Sequence, residues 1–272
     1  MLIKSLVNLV VLLCFTACAA ANAGRAGETA TAPLADAAKR NDTDAIARLL
    51  DQGAKIDVPQ ADGMTALIWV AYHDDTDMVK RLLAAGADAK ATNRYGISAL
   101  TVACINGNGT IVKLLIDAGA DPNTKRDGGE TVLMTASRTG KLDAVTALIK
   151  AGAEVNSRER RGQTALMWAA ADGHADVVDA LINAGAEYRQ PLDSGFTPLG
   201  FAARNGHIDV TKRLIAAGVD VNRAMDQARG GRDKPEPNTS PLLLAMENGH
   251  FELAAVLLDA GADPNDDRTG FA

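Results

Sequence analysis

The stretch Gly162-Gln163-Thr164-Ala165-Leu166-Met167-Trp168-Ala169-Ala170-Ala171-Asp172-Gly173-His174 decides how this chain folds. Thr164 is placed to cap a helix, its hydroxyl accepting from an orphan amide of the first turn. The next position is helical N1, and later copies of the stretch put Pro198 and Pro241 there, where proline is well tolerated. Leu166, Ala169 and Ala170 recur at helical spacing and make a thin apolar face of small residues that permits close approach. Gly173 then ends the helix by accepting a left-handed conformation. A second helix is predicted from about Ala175 to Ala184, buried through Val177, Val178, Leu181 and Ile182 and stopped by Gly185.

The same pattern recurs through the chain. Gly63, Gly96, Gly129, Gly162 and Gly195 follow one another at intervals of 33 residues, and so do Gly53, Gly86, Gly119, Gly152, Gly185 and Gly218. A fixed period of this length marks a stack of near-identical helix pairs, not one globular core. One unit cannot bury both of its faces, so each depends on its neighbours. The residues between one pair and the next are expected to project as a finger.

Two recurring motifs carry a family resemblance. Thr65-Ala66-Leu67, Thr164-Ala165-Leu166 and Thr197-Pro198-Leu199 resemble the T-P-L-H motif of ankyrin repeats. Gly86-Ala87-Asp88, Gly119-Ala120-Asp121 and Gly261-Ala262-Asp263 resemble that family's G-A-D turn. The resemblance runs from Leu34 to the C-terminus. It implies an all-α ankyrin-repeat solenoid over residues 34–272, with about seven helix-turn-helix units and short β-hairpin-like fingers. The histidine of T-P-L-H is replaced throughout, by Ile68, Thr101, Met134, Met167, Gly200 and Leu243. The threonine–histidine hydrogen bonds of the family should therefore be absent, with apolar contacts in their place. The first unit, Leu34 to Asp57, sets Asp36, Lys39 and Arg40 on its first helix, as suits a solvated cap. The last full unit runs from Ser240 to Asn265, and its face from Phe251 to Leu258 is expected to be only partly covered.

Residues 1–23 read as a secretory signal peptide: a lone Lys4, an apolar stretch from Leu6 to Phe15, then small residues. The apolar stretch falls short of the roughly 20 residues that span a bilayer. Two processing routes stay open. Ala21-Asn22-Ala23 suits cleavage by an ordinary signal peptidase. Phe15-Thr16-Ala17-Cys18 resembles a bacterial lipobox, with Phe15 in place of the usual leucine, and would make Cys18 the lipidated N-terminus. Residues 24–33 form a flexible tether under either route. The expected location is the periplasm, with an outer-membrane lipid anchor if Cys18 is modified.

The composition sets limits on chemistry. Hydrophobic content of 47% supports extensive burial, while 4% aromatic content leaves alanine and leucine to provide it. A net charge of −6 gives no general attraction to nucleic acid. Cys104 is the sole thiol of the repeat region, which excludes an internal disulfide there, and it fits a small buried core site. His174, His207 and His250 hold one equivalent turn position and read as structural residues. Ligand pairs at zinc spacing, a phosphate-binding glycine loop and a G-x-S-x-G elbow are all missing from the sequence. Catalytic residues, metal sites and cofactors are accordingly not expected. Trp69 and Trp168 share their position with Val102, Thr135, Phe201 and Leu244, which points to an inter-repeat core site.

What varies between units is more informative about function. After the paired small residues of each first helix stand Tyr72 and His73, Ile105 and Asn106, Arg138 and Thr139, Ala171 and Asp172, Arg204 and Asn205, Glu247 and Asn248. No apolar rule governs these pairs, so they are expected to face solvent, and the resemblance places them on a concave groove. Arginine and tyrosine recur among them and at the fingers, and both are favoured interface anchors. The expected partner-binding set is Tyr72, Arg94, Tyr95, Arg138, Arg160, Arg161 and Arg204, facing an acidic protein surface. The period breaks once: Gly218 to Gly261 spans 43 residues, and the ten extra lie between Asn222 and Ser240, giving an extended finger at 223–239. That finger is either a neutral extension or a contact element. The expected function is a monomeric, non-enzymatic protein-interaction module or scaffold of the bacterial cell envelope. The second reading is a dedicated accessory subunit that stabilises or inhibits one exported enzyme.

Overall fold

The computed structural model describes residues 32–225 and 239–265. The predicted signal peptide, most of the tether, most of the extended finger and the last seven residues lie outside the described residues. Among the described residues, fourteen helices form seven consecutive pairs. The pairs are α1 (Pro33–Lys39) and α2 (Thr43–Asp51), α3 (Ala66–Tyr72) and α4 (Thr76–Ala84), α5 (Ala99–Asn106) and α6 (Gly109–Asp117), and α7 (Val132–Arg138) and α8 (Leu142–Lys150). Then come α9 (Ala165–Ala171) and α10 (Ala175–Asn183), α11 (Pro198–Asn205) and α12 (Ile208–Ala216), and α13 (Pro241–Glu247) and α14 (Phe251–Asp259). Each first helix packs against its own second helix and against the first helices of both neighbouring units, so one apolar core runs the length of the stack.

The first helices are only seven or eight residues long, too short to persist alone. Two things hold them. One is a hydroxyl cap: Thr65, Ser98, Thr131, Thr164, Thr197 and Ser240 each accept from the amide three residues on, at 3.0 to 3.4 Å. The other is burial, as in α3, where every residue from Ala66 to Ala71 is enclosed. The second helices bury one stripe only; in α10 this is Val177, Val178 and Leu181, with Ile182 partly buried.

The replaced histidines give a mixed outcome. Ile68, Met134 and Met167 are fully buried, as apolar substitution requires. Thr101 departs from that expectation, because its hydroxyl hydrogen-bonds with Ser98 at 3.1 Å. At Gly200 the missing side chain is replaced from elsewhere. A Cβ there would lie 2.6 Å from the sulfur of Met225, which is itself fully buried. Met225 pairs with Thr239 in an isolated antiparallel bridge. The extended finger therefore leaves and re-enters the array across one bridge, anchored in the core by Met225.

The fingers are tight hairpin-like turns, closed in two of them by isolated antiparallel bridges, Thr92 with Ser98 and Lys125 with Thr131. Glu159 and Gly162 show the pattern: the Gly162 amide donates to the Glu159 carbonyl at 2.8 Å, and the Glu159 amide to Gln163 at 3.0 Å. Adjacent fingers are tied by single backbone bonds, from Arg94 to Asp62 at 3.1 Å and from Arg160 to Gly128 at 2.9 Å. Gly63 is required on two counts. Its φ is +86°, and a Cβ would stand 2.9 Å from the Cα of Asn93 in the next finger. At the C-terminal unit Met246 and Phe251 are 47% and 66% exposed, whereas the residues equivalent to Met246 in the earlier units, such as Ala170 and Ala203, are fully buried.

Candidate functional site

A short helix leaves its last carbonyls without intrahelical partners, and in this array the next unit supplies donors for them. His73 Nε2 lies 3.2 Å from the Lys39 carbonyl, and Asn106 Nδ2 donates to Ala71 at 3.0 Å. Thr139 Oγ1 donates to Cys104 at 3.3 Å, and Asn205 Nδ2 to Ala171 at 2.7 Å. These residues were expected to face solvent. These four are instead engaged between units, whereas Asp172 makes no such bond among the described residues and Asn248 bonds Leu244 within its own helix.

The turn histidines perform the same task. His174, His207 and His250 place Nε2 at 2.9, 2.9 and 3.1 Å from the carbonyls of Arg138, Ala171 and Arg204. A carbonyl only accepts, so each Nε2 carries the proton. On the far side of the stack, asparagines form a second seam that the sequence reading missed. Asn156 accepts from the Glu187 amide at 2.8 Å and donates to the Gly185 carbonyl at 3.0 Å. Asn222 does the same with Asp263 and Gly261. Asparagine recurring at 123, 156 and 222 was the available signal.

The groove residues fall into distinct settings. Tyr72 is half-buried, its ring edge-on to Trp69 at 5.8 Å and to His73 at 5.3 Å. Trp69 is a core residue, 6% exposed, with Nε1 donating to Gln60 and Lys39 above its ring at 5.6 Å. Trp168 differs. It is half-buried at the groove surface, with the Arg138 guanidinium 5.3 Å above its ring. Gln163 accepts from its Nε1 at 2.9 Å and so ties it to the finger that carries Arg160 and Arg161.

Arg204 is half-buried against Phe196 at 4.9 Å and Phe201 at 5.5 Å, two rings that stack on each other. Arg94 and Tyr95 are exposed at a finger tip, the guanidinium 5.1 Å from the ring. Other finger arginines are neutralised locally: Arg126 pairs with Glu130 and Arg158 with Glu187. Arg160 and Arg161 are exposed, and among the described residues neither guanidinium forms an ion pair. The structure thus sets Arg138 over Trp168 and ties Trp168 through Gln163 to the finger on which Arg160 and Arg161 stand, while Tyr72, Arg94, Tyr95 and Arg204 lie in other surroundings.

Asp172 closes α9, one turn after Trp168, while the Glu159 carboxylate accepts from the Arg161 and Gln163 amides in the finger. Burial raises the pKa of Asp172, and the charges of His174, Arg138 and His207 pull it partway back. Elsewhere, burial pushes the Cys104 thiol far up, which leaves it protonated and inert. Among the described residues, no cluster of three or more His, Cys, Asp or Glu could hold a metal ion. Nor is any described helix long and apolar enough to cross a membrane. An open groove of about 890 Å³ lies between α6 and α8, where Gly109 admits Asp143 closely. Its lining mixes Asp74, Lys113, Asp143 and Lys150 without a convergent polar set.

A family model described as ankyrin repeats matches the chain in three copies, over residues 34–126, 121–191 and 189–268. A search of curated proteins finds no match.

Proposed function

The chain belongs to the ankyrin repeat family, and from that premise we propose that it captures an acidic protein partner on the patch formed by Arg138, Trp168, Arg160 and Arg161. Ankyrin repeats are protein-interaction modules, and this array is one. The observation that carries the finer reading is the state of Arg160 and Arg161: two exposed guanidinium groups without ion pairs among the described residues, on the finger that Gln163 ties to the half-buried Trp168, on a chain of net charge −6. Unpaired arginine next to an aromatic ring is the composition that interface cores favour. The neighbouring finger arginines Arg126 and Arg158 are engaged with Glu130 and Glu187, which leaves Arg160 and Arg161 as the cations open to a partner on this finger.

The compartment is part of the proposal. Residues 1–23 would export the array to the bacterial envelope, with a free or lipid-anchored start according to whether Cys18 is modified. Intact mass of the mature chain separates the two.

The patch is tested by Arg138→Glu, Arg160→Glu and Arg161→Glu together, in a crosslinked pull-down from native envelope. Arg204 is left alone because it packs against Phe196 and Phe201. Loss of the captured protein is the expected result, and an unchanged yield would sink the reading. Capture of one enzyme at equal stoichiometry would favour a dedicated accessory subunit, and several unrelated partners a scaffold.

A further inference from the structure

Arg138, Ala171 and Arg204 hold one repeat position in three consecutive units, each in the last turn of a first helix. The helix α9 packs between α7 and α11. Hydrogen bonds fix the three helix ends in register: His174 Nε2 on the Arg138 carbonyl, then Asn205 Nδ2 and His207 Nε2 on the Ala171 carbonyl. The two arginines lean differently. Arg138 reaches forward onto Trp168 of the next unit, and Arg204 turns onto Phe196 and Phe201 of its own. Trp168 and Phe201 are themselves equivalent residues of adjacent units. The two guanidinium groups therefore lie over neighbouring rings, roughly one helix spacing of 8–10 Å apart.

Stacking occupies the face of a guanidinium and leaves its N–H edge to bond. Among the described residues neither arginine forms an ion pair, with Asp172 or with any other carboxylate. The unit between them carries only the half-buried methyl of Ala171 at this position. The first two units show what can fill the place. Lys39 lies over Trp69 as Arg138 lies over Trp168, but there the position of Ala171 is taken by Tyr72, edge-on to the tryptophan.

Resting on the acidic-partner reading above, we propose that Arg138 and Arg204 clamp an extended acidic segment of the partner over Ala171, reading carboxylates on alternate residues. Alternate side chains of an extended chain share one face and stand about 6.6 Å apart, and two flexible acidic side chains splay to meet both guanidinium groups. Adjacent residues face opposite ways, and residues four apart overshoot at about 13 Å. Arg204 is thus a specificity-determining residue, and the groove selects spacing as well as charge.

The test is fluorescence anisotropy at low salt, with the full chain and two labelled eight-residue peptides. One alternates glutamate with threonine, which favours the extended form. Its isomer has the same composition and charge but sets glutamates in adjacent pairs divided by pairs of threonine, so that none stand two residues apart. The wild type should bind the alternating peptide roughly three- to fivefold more tightly, the scale of one partly exposed ion pair gained. Arg204→Gln, which keeps its stem on the rings, should bind the two isomers equally. So should Ala171→Tyr, which keeps both arginines and fills the seat as Tyr72 does. Equal binding of the isomers by the wild type overturns the inference, and so does a preference that persists in either variant. The triple variant Arg138→Glu, Arg160→Glu and Arg161→Glu keeps the two readings apart. If it binds both peptides as tightly as the wild type, the patch reading falls and takes this inference with it. If it loses both while the wild type does not tell the isomers apart, this inference alone falls.

Discussion

The imidazole of His174 packs over Gly140 in the preceding unit, with its Nε2 2.9 Å from the Arg138 carbonyl oxygen. Any side chain at Gly140 would collide with that ring. His207 over Gly173 and His250 over Gly206 repeat the arrangement, and the Lys141 side chain takes the same place over Gly107. The glycine of one turn and the residue directly after its equivalent in the next unit form a single structural unit.

Gly140 and Gly152 should separate the two demands on these glycines. Both have left-handed backbones, with φ of +71° and +86°, but nothing lies within 4 Å of a Cβ at Gly152. Gly152→Ala should cost only the backbone term, about 1–2 kcal/mol. Gly140→Ala adds an overpacking term of roughly 1–3 kcal/mol. Paired urea titrations check the difference, which His174→Ala in the Gly140→Ala background should largely remove.

Asn156 holds both sides of a junction with one side chain. Asn156→Ala should weaken the contact between adjacent units by about 1 kcal/mol, since the bonds are exposed to water. Amide exchange at Glu187 should accelerate, while exchange in α3 and α4 stays unchanged, because coupling in a repeat stack is between nearest neighbours.

Met225 and Gly200 form a complementary pair. Met225→Ala should cost roughly 2–5 kcal/mol as a core truncation. Gly200→Ala should cost about 1–3 kcal/mol by crowding the sulfur. The double change Gly200→Met with Met225→Ala returns the position to the pattern of Met134 and Met167. It should recover part of the loss, which a double-mutant cycle by thermal melting would show.

Asp172 makes a prediction about stability that is independent of binding. Its pKa is raised in the folded chain above the unfolded carboxylate value. The folded chain therefore binds its proton more readily, and stability gains as the pH falls through the folded pKa. Asp172→Asn should raise the melting temperature at pH 7. The gain should shrink in acid and vanish below the unfolded carboxylate pKa.

Cys104 should resist alkylation in the native chain, since burial keeps its thiol protonated and enclosed. Peptide mapping after iodoacetamide should find the Cys104 peptide unmodified until denaturant is added.

The sequence by itself determined the helix pairs, their period and their boundaries. Those follow from local chemistry: a hydroxyl before each first helix from α3 on, a residue that accepts positive φ after the helix (glycine from α5 on, Asn41 and Asp74 before it), and apolar residues at helical spacing. Thr164, Gly173 and Val178 could each be assigned from their immediate neighbours. Only the tertiary structure decided which variable residues are free to meet a partner. Asn106, Thr139 and Asn205 bond to carbonyls 34 or 35 residues away, and Arg204 is held on rings that the fold stacks beside it. Trp69 is enclosed and Trp168 is half-open, though both occupy the same position in the repeat. The orphan carbonyls at the end of one helix and the space beside them belong to the neighbouring unit, so no reading along a single repeat could assign them.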